Sequence, residues 1–240
     1  MIDIHSHIIF SVDDGSKSLE QSIQYLKEAK KIGVNKVVCT PHISHDNKEK
    51  ALKIVKNFKE LKEEAKKYNI DLYLGNEIMI KDNTIDLLKN KKLTTLNNSK
   101  YVLVELKRSE NRNFDNVVSI LTDFVDQGYF PILAHPEFYV NYRNINNYRK
   151  LKENGILLQI DSTSLLFTRS SRKTRKFAKK LLHERLVDFV ATDSHCTKKR
   201  DYLSLKKAYK KVKKMDKKYA DIIFNENQLE IVGELWKNQL

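Results

Sequence analysis

Two hydrophobic periods alternate along this 240-residue chain. Short aliphatic runs, bounded by polar or turn residues, alternate with longer stretches in which apolar residues recur every three or four positions. The short runs predict strands over residues 2–5, 37–40, 72–74, 101–106, 132–134, 156–160 and 187–191. The longer stretches predict helices over 18–31, 47–68, 84–90, 114–127, 145–154, 172–184 and 203–219. Helix 47–68 has the clearest pattern, with Ala51, Ile54, Phe58, Leu61, Ala65 and Tyr68 in register. Gly33, Gly128 and Gly155 each stand between a helix and the next apolar run, where a left-handed backbone ends a helix. Alternation of β and α elements implies a parallel sheet with helices outside, in about seven βα units.

The polar residues that interrupt this pattern are not scattered. Five of the seven histidines fall where a strand gives way to a loop: His5 and His7 in IDIHSH, His42 in VVCTPH, His135 in PILAHPE and His195 in VATDSH. Asp14, Glu77, Glu105 and Asp193 fall at comparable places. In an open sheet the outer strand ends lie too far apart to share a cluster. Closure brings them to one mouth, so the expected fold is a distorted (β/α)7 TIM-like barrel with a metal site at the C-terminal ends of its strands. With no linker or low-complexity tract, residues 1–240 read as one domain.

Composition narrows the function classes. A hydrophobic fraction of 40% supports a real core rather than disorder. No apolar run is long enough to span a bilayer, and a strand beginning at Ile2 leaves no room for a signal peptide, so a cytoplasmic location is expected. The two cysteines, Cys39 and Cys196, make no disulfide framework. A cysteine phosphatase loop needs arginine six residues after its nucleophile, and those positions hold His45 and Tyr202. The formal net charge of +14 fits an acidic partner, and helix 203–219 concentrates lysines around an apolar stripe of Leu205, Tyr209, Val212, Met215 and Tyr219. A solvated helix face explains those lysines too. No zinc finger or aromatic-rich RNA motif accompanies them, so nucleic acid is not the expected partner.

In His5-Ser6-His7 the strand alternation puts both imidazoles on one side, able to chelate one ion. Asp13-Asp14-Gly15 follows in a turn, and Asp193-Ser194-His195 repeats the spacing with a mixed ligand pair. Glu77 and Glu105 are natural bridges between ions. Nitrogen and oxygen donors suit Mn, Fe, Zn or Mg. Such a cluster makes hydroxide from water at neutral pH and neutralises a phosphoryl group, so no protein nucleophile is needed. Arg200 in the last βα loop, and Arg143 after it, are the candidates for phosphate recognition.

At these motifs the chain resembles the polymerase and histidinol phosphatase (PHP) superfamily. Within it, the chain is similar to the bacterial capsule and exopolysaccharide tyrosine-protein phosphatases of the CpsB/YwqE type. The resemblance is carried by MIDIHSHI with VDDGSKS, TPH at 40–42, GNEI at 75–78, LNNSKYVLVEL at 96–106, PILAHPE at 131–137 and LVDFVATDSH at 186–195. It implies the ligand set His5, His7, Asp14, His42, Glu77, Glu105, His135, Asp193 and His195, with Asp14 preferred over Asp13. It further implies two or three ions, manganese favoured, and a phosphate-handling role for Arg200. The implied substrate is the tyrosine-phosphorylated tail of a partner kinase in polysaccharide synthesis. The family usually has His-Pro-Glu-Arg where this chain has His135-Pro136-Glu137-Phe138, so Arg143 is expected to substitute, or phosphate binding to weaken. The segment 161–172 also lacks the glycines common there. Two other functions compete: a PHP phosphoesterase acting on a small phosphate monoester such as histidinol phosphate or on nucleic-acid ends, and a metal-bearing scaffold without catalysis.

Overall fold

A computed structural model describes residues 1–43, 48–107, 109, 111–166, 170–195 and 202–233. Strands β1 (Ile2–Ser6), β2 (Lys36–Cys39) and β3 (Asp71–Leu74) form one parallel sheet in that order. A second parallel sheet runs β4 (Glu77–Met79), β5 (Tyr101–Glu105), β6 (Phe130–Ala134), β7 (Leu157–Asp161) and β8 (Phe189–Ala191). The fold is α/β with parallel sheets, as the alternating pattern requires. The two sheets meet at β1 and β8, and past the end of β2 they touch again. On one side Asp193 N–H donates to the His5 carbonyl and His7 N–H to that of Ser194; on the other a single parallel bridge pairs His42 with Glu77.

Helices α1 (Leu19–Ile32), α2 (Lys48–Lys66), α3 (Thr84–Lys89), α4 (Phe114–Asp126), α5 (Ile145–Glu153) and α6 (Arg172–His183) follow successive strand segments. Their ends obey local chemistry. Ser18, Asn113, Asn144 and Ser171 accept hydrogen bonds from backbone N–H groups in the first turns of α1, α4, α5 and α6. Gly33, Gly128 and Gly155 all have φ near +80° after helices, which a side chain would resist.

Strand alternation divides the apolar residues between two cores. Val38, Leu103, Ile132, Ala134, Phe189 and Ala191 pack with Ile2 and Ile4 into an inner cluster. Their neighbours Val37, Cys39, Val102, Val104, Leu133 and Val190 face the helices in a larger outer cluster. A one-residue register slip would exchange the two sets and bury the helix-facing residues in the wrong core.

Three features depart from the sequence pattern. Glu77–Met79 forms an additional strand, β4, so that eight strands stand where the hydrophobic runs predict seven. The stretch 203–219 is two helices, α7 (Leu203–Met215) and α8 (Lys217–Asp221), because Asp216 adopts an extended backbone and caps the second through Tyr219 N–H. After α8, a π-helical segment (Ile222–Glu226) leads to α9 (Asn227–Ile231). Ile231 and Val232 join the inner cluster against Ile2, Ile4 and Phe189, closing the end of the strands opposite the histidines.

Candidate metal centre

The nine residues selected at strand ends come from seven segments of chain, and the structure brings all nine together. β1 delivers His5 and His7. A register irregularity between Asp3 and Ser6 falls at this point, the kind of bulge that re-aims a side chain. Two other strand ends leave the usual backbone regions: His135 has φ +36° after β6, and Asp193 has φ +48° beyond β8. For a residue with a β-carbon this conformation is strained, and it recurs where side chains must be turned into a site.

Glu77 is the hub. Its Oε2 lies 3.2 Å from His5 Nε2, 3.1 Å from His7 Nε2 and 3.3 Å from His42 Nδ1, and its Oε1 is 2.8 Å from His135 Nε2. The Nε2 atoms of His5 and His7 face each other at 3.2 Å. Asp193 Oδ1 approaches His5, His7 and His195 at 3.2–3.4 Å. Asp14, exposed, reaches in from the rim to 3.3 Å from His195 Nε2 and 3.7 Å from His42 Nε2. Glu105 stands 3.4 Å from His42 Nδ1 and 3.7 Å from His135 Nε2.

Among the described residues, donor atoms within 4.8 Å of one another form three groups: His7, Asp14, His42 and His195; His5, His7, Glu77 and Asp193; and His42, Glu77 and Glu105. Any two groups share one residue, namely His7, His42 or Glu77. His135 stands beside the last two through Glu77. Four imidazoles converging on one buried carboxylate, two of them nose to nose, is a donor set aimed at cations rather than at itself. The electrostatics agree. Burial works against the charge of His7, yet hydrogen bonds to Asp13, Asp193 and Glu77 hold its imidazole well above the ordinary range. Glu77 is held well below its ordinary value despite burial, by the surrounding imidazoles. Glu105 is pushed up to about 7 by burial and by the Glu77 charge, a like-charge conflict that a bridging cation relieves.

A second layer orients these donors, and sequence reasoning missed most of it. Asp13 is buried behind its neighbour Asp14: Oδ2 accepts from His7 Nδ1 at 2.9 Å and from His42 N–H at 3.0 Å, while Oδ1 accepts from Gly15 N–H at 2.8 Å. Gln159 Oε1 accepts from His5 Nδ1 at 2.7 Å. Both contacts leave Nε2 as the donor turned to the centre. Asp3, fully buried, accepts from the Thr192 N–H and hydroxyl and so ties β1 to the segment carrying Asp193. Gly15 lies so close to His7 that a β-carbon would stand 2.0 Å from its carbonyl oxygen. No period in the sequence marks Gln159 or Asp3, because their partners lie more than 150 residues away.

The model of the capsular polysaccharide synthesis family CpsB/CapC matches residues 1–233. The chain belongs to the CpsB/CapC family. CpsB of Streptococcus agalactiae, named a tyrosine-protein phosphatase, is 34% identical over 241 residues, covering 97% of this chain and 98% of its own. YwqE of Bacillus subtilis, named likewise, is 32% identical over 214 residues, covering 84% and 80%. A chain from the crystal structures of YwqE from Bacillus subtilis and CpsB from Streptococcus pneumoniae, described as unique metal-dependent tyrosine phosphatases, superposes with a TM-score of 0.76 at 28% identity, over 90% of this chain and 87% of that one.

Of the two arginines expected beside this CpsB/CapC centre, the described one, Arg143, is placed differently from the sequence expectation. Arg143 does not reach it: the guanidinium donates to the Glu137 carbonyl at 2.9 and 3.1 Å and to the Thr174 hydroxyl at 2.7 Å, fastening the 136–142 loop to α6. Arg200, Cys196 and His45 lie outside the described residues. Phe138, where the family resemblance leads one to expect arginine, packs its ring edge-on against His135, with centroids 5.9 Å apart. The cavity over the cluster has a volume of about 400 Å³, and Lys107 is the only lysine or arginine among its described lining residues. Alternation from Glu105 puts Lys107 on the same side; sequence reasoning missed it because the predicted strand ends at residue 106.

Proposed function

We propose that this protein is a metal-dependent tyrosine phosphatase that removes phosphate from a tyrosine-phosphorylated partner kinase of capsule or exopolysaccharide synthesis. The observation that carries the reading is the convergence of four imidazoles on buried Glu77, within three overlapping groups of nitrogen and oxygen donors. Membership of CpsB/CapC and the names of its relatives support the substrate class.

His5, His7, Asp14, His42, Glu77, Glu105, His135, Asp193 and His195 would hold two or three ions, with manganese first among Mn, Fe, Zn and Mg for this donor set. Divalent ions bound there supply Lewis acidity to the phosphoryl group and bring the pKa of water towards neutrality. The chain's own residues do the rest. Asp13 and Gln159 hold His7 and His5 in the tautomer that turns Nε2 inward. Lys107 offers a cation at the wall of the cavity for a phosphate oxygen, and Arg200, seven residues after Asp193 in sequence, is assigned a second. No protein nucleophile is needed: Cys39 is fully buried in strand β2, and Cys196 lacks the arginine six residues on that a cysteine phosphatase loop requires. The architecture that supports this centre is read as a closed, distorted (β/α)7 barrel of one domain, residues 1–240, working in the cytoplasm; among the described residues no helix is long and apolar enough to cross a membrane.

The test is a substrate panel on purified protein of measured metal content. Phosphotyrosyl peptide, histidinol phosphate and single-stranded DNA are compared with and without added Mn. Hydrolysis of the phosphotyrosyl peptide is the expected result. Turnover confined to histidinol phosphate or DNA would replace the proposal by the wider phosphoesterase reading.

A further inference from the structure

Two helices outside the metal centre carry basic side chains with no acidic residue among them. Helix α6 carries Arg172, Lys173, Arg175, Lys176, Lys179 and Lys180; helix α7 carries six lysines between Lys206 and Lys214. Neither helix contains an aspartate or glutamate. The acids come only at their C-terminal ends, where Glu184 pairs with Arg149 and Asp216 with Arg185. Both helices pack against the segment Ser162–Leu165 that follows β7, and Lys211 Nζ donates to the Leu165 carbonyl at 2.7 Å.

Between the helices runs a groove. Its upper part, about 330 Å³, has Leu165, Leu182 and Val212 as an apolar floor and Lys179 and Lys211 on its rim. A lower part of about 350 Å³ continues past Met215 to Arg185 and Tyr219. Burial in the groove and the neighbouring Lys179 and Arg175 hold the Lys211 ammonium below its ordinary value. Like charges thus stand beside an apolar slot, an arrangement complementary to an acidic ligand with apolar side chains.

We infer that the groove between α6 and α7 is a docking site for an extended acidic peptide segment with apolar side chains, separate from the metal centre. The apolar floor takes the side chains, and the cationic rim takes the carboxylates. The shape favours a peptide over a lipid surface. Interfacial binding to a bilayer needs several protruding apolar side chains, and among the described exposed large hydrophobics Met215 alone lines this groove. The inference does not rest on phosphatase activity, because docking needs no phosphate and no metal.

The test uses the full chain and a fluorescein-labelled 15-residue peptide of repeating Glu-Glu-Leu, read by fluorescence anisotropy. Wild type is expected to bind it and to lose affinity as salt rises. Lys179→Glu combined with Lys211→Glu should weaken binding about tenfold or more, and Met215→Ser should weaken it without changing the charge of the groove. Lys56→Glu with Lys59→Glu on exposed positions of α2 makes the same change in net charge and should leave binding within about twofold. Circular dichroism melts on each variant exclude unfolding as the cause. Equal losses from the α2 and groove variants would reduce the effect to bulk charge and overturn the inference. Binding to phosphatidylglycerol vesicles with none to the peptide would overturn it in favour of a membrane surface.

Discussion

Removing the carboxylate of Asp13 separates orientation of the donors from donation itself. Asp13→Ala leaves all nine candidate ligands in place and strips three donors of their acceptor: His7 Nδ1, His42 N–H and Gly15 N–H. Outer partners of metal-ligating histidines are worth 10–100-fold in affinity, about 1.4–2.7 kcal/mol. Leaving buried donors unsatisfied costs about 1–3 kcal/mol for each group before relaxation. A net loss of about 2 kcal/mol in a chain of this size lowers Tm by about 4–8 °C. Asp14→Ala is the natural contrast, because Asp14 is exposed and faces the donors instead of supporting them. The assay is calorimetric titration of the metal-free chain with Mn, followed by thermal melts in chelator. Asp13→Ala should weaken metal binding and also melt earlier without metal; Asp14→Ala should weaken metal binding alone. If Asp13→Ala matches wild type in both measurements, the orienting role given to Asp13 is wrong.

Three further outcomes are expected. Lys107→Met should raise KM for a phosphotyrosyl peptide about tenfold while leaving metal content unchanged, since it removes a cation from the cavity wall and no donor; an unchanged KM would remove Lys107 from phosphate recognition. Gly15→Ala should destabilise the chain by about 1–3 kcal/mol or more, because its β-carbon would sit 2.0 Å from a backbone oxygen that cannot rotate away; denaturant melts measure it, and a neutral result would mean that the His7 turn is looser than described. Arg143→Ala should lower Tm through loss of its bonds to Glu137 and Thr174 yet keep kcat/KM within about twofold; a large fall in kcat/KM at constant metal content would restore Arg143 to the site.

What the sequence made legible was whatever has a period or stands at a strand end. The 3.6-residue pattern marked α1 to α6, and aliphatic runs placed seven of the eight strands within a few residues, while β4, only three residues long, went unmarked. The nine candidate ligands stood out because imidazole and carboxylate are costly to bury at strand ends without purpose. The helix break at Asp216 was hidden, since apolar spacing continues across it from Met215 to Tyr219. The supporting residues were hidden for a different reason. Gln159 and Asp3 act through contacts across the sheets, and a strand-internal polar residue looks the same whether it orients a histidine or merely satisfies a neighbour. Arg143 shows the converse: an arginine near a motif in sequence spends its hydrogen bonds on a loop carbonyl and a threonine.

The central claim is that the strand-end donors hold the metal on which phosphotyrosine hydrolysis depends. The most direct measurement strips the purified chain with chelator, returns Mn in steps, and follows bound metal and release of phosphate from a phosphotyrosyl peptide together, for wild type and Glu77→Gln. Wild type should lose activity on stripping and regain it in proportion to metal bound, while Glu77→Gln, its hub weakened against four imidazoles, should retain less metal and recover little activity. Hydrolysis that survives complete stripping, or a Glu77→Gln chain that binds metal and turns over like wild type, would contradict the account.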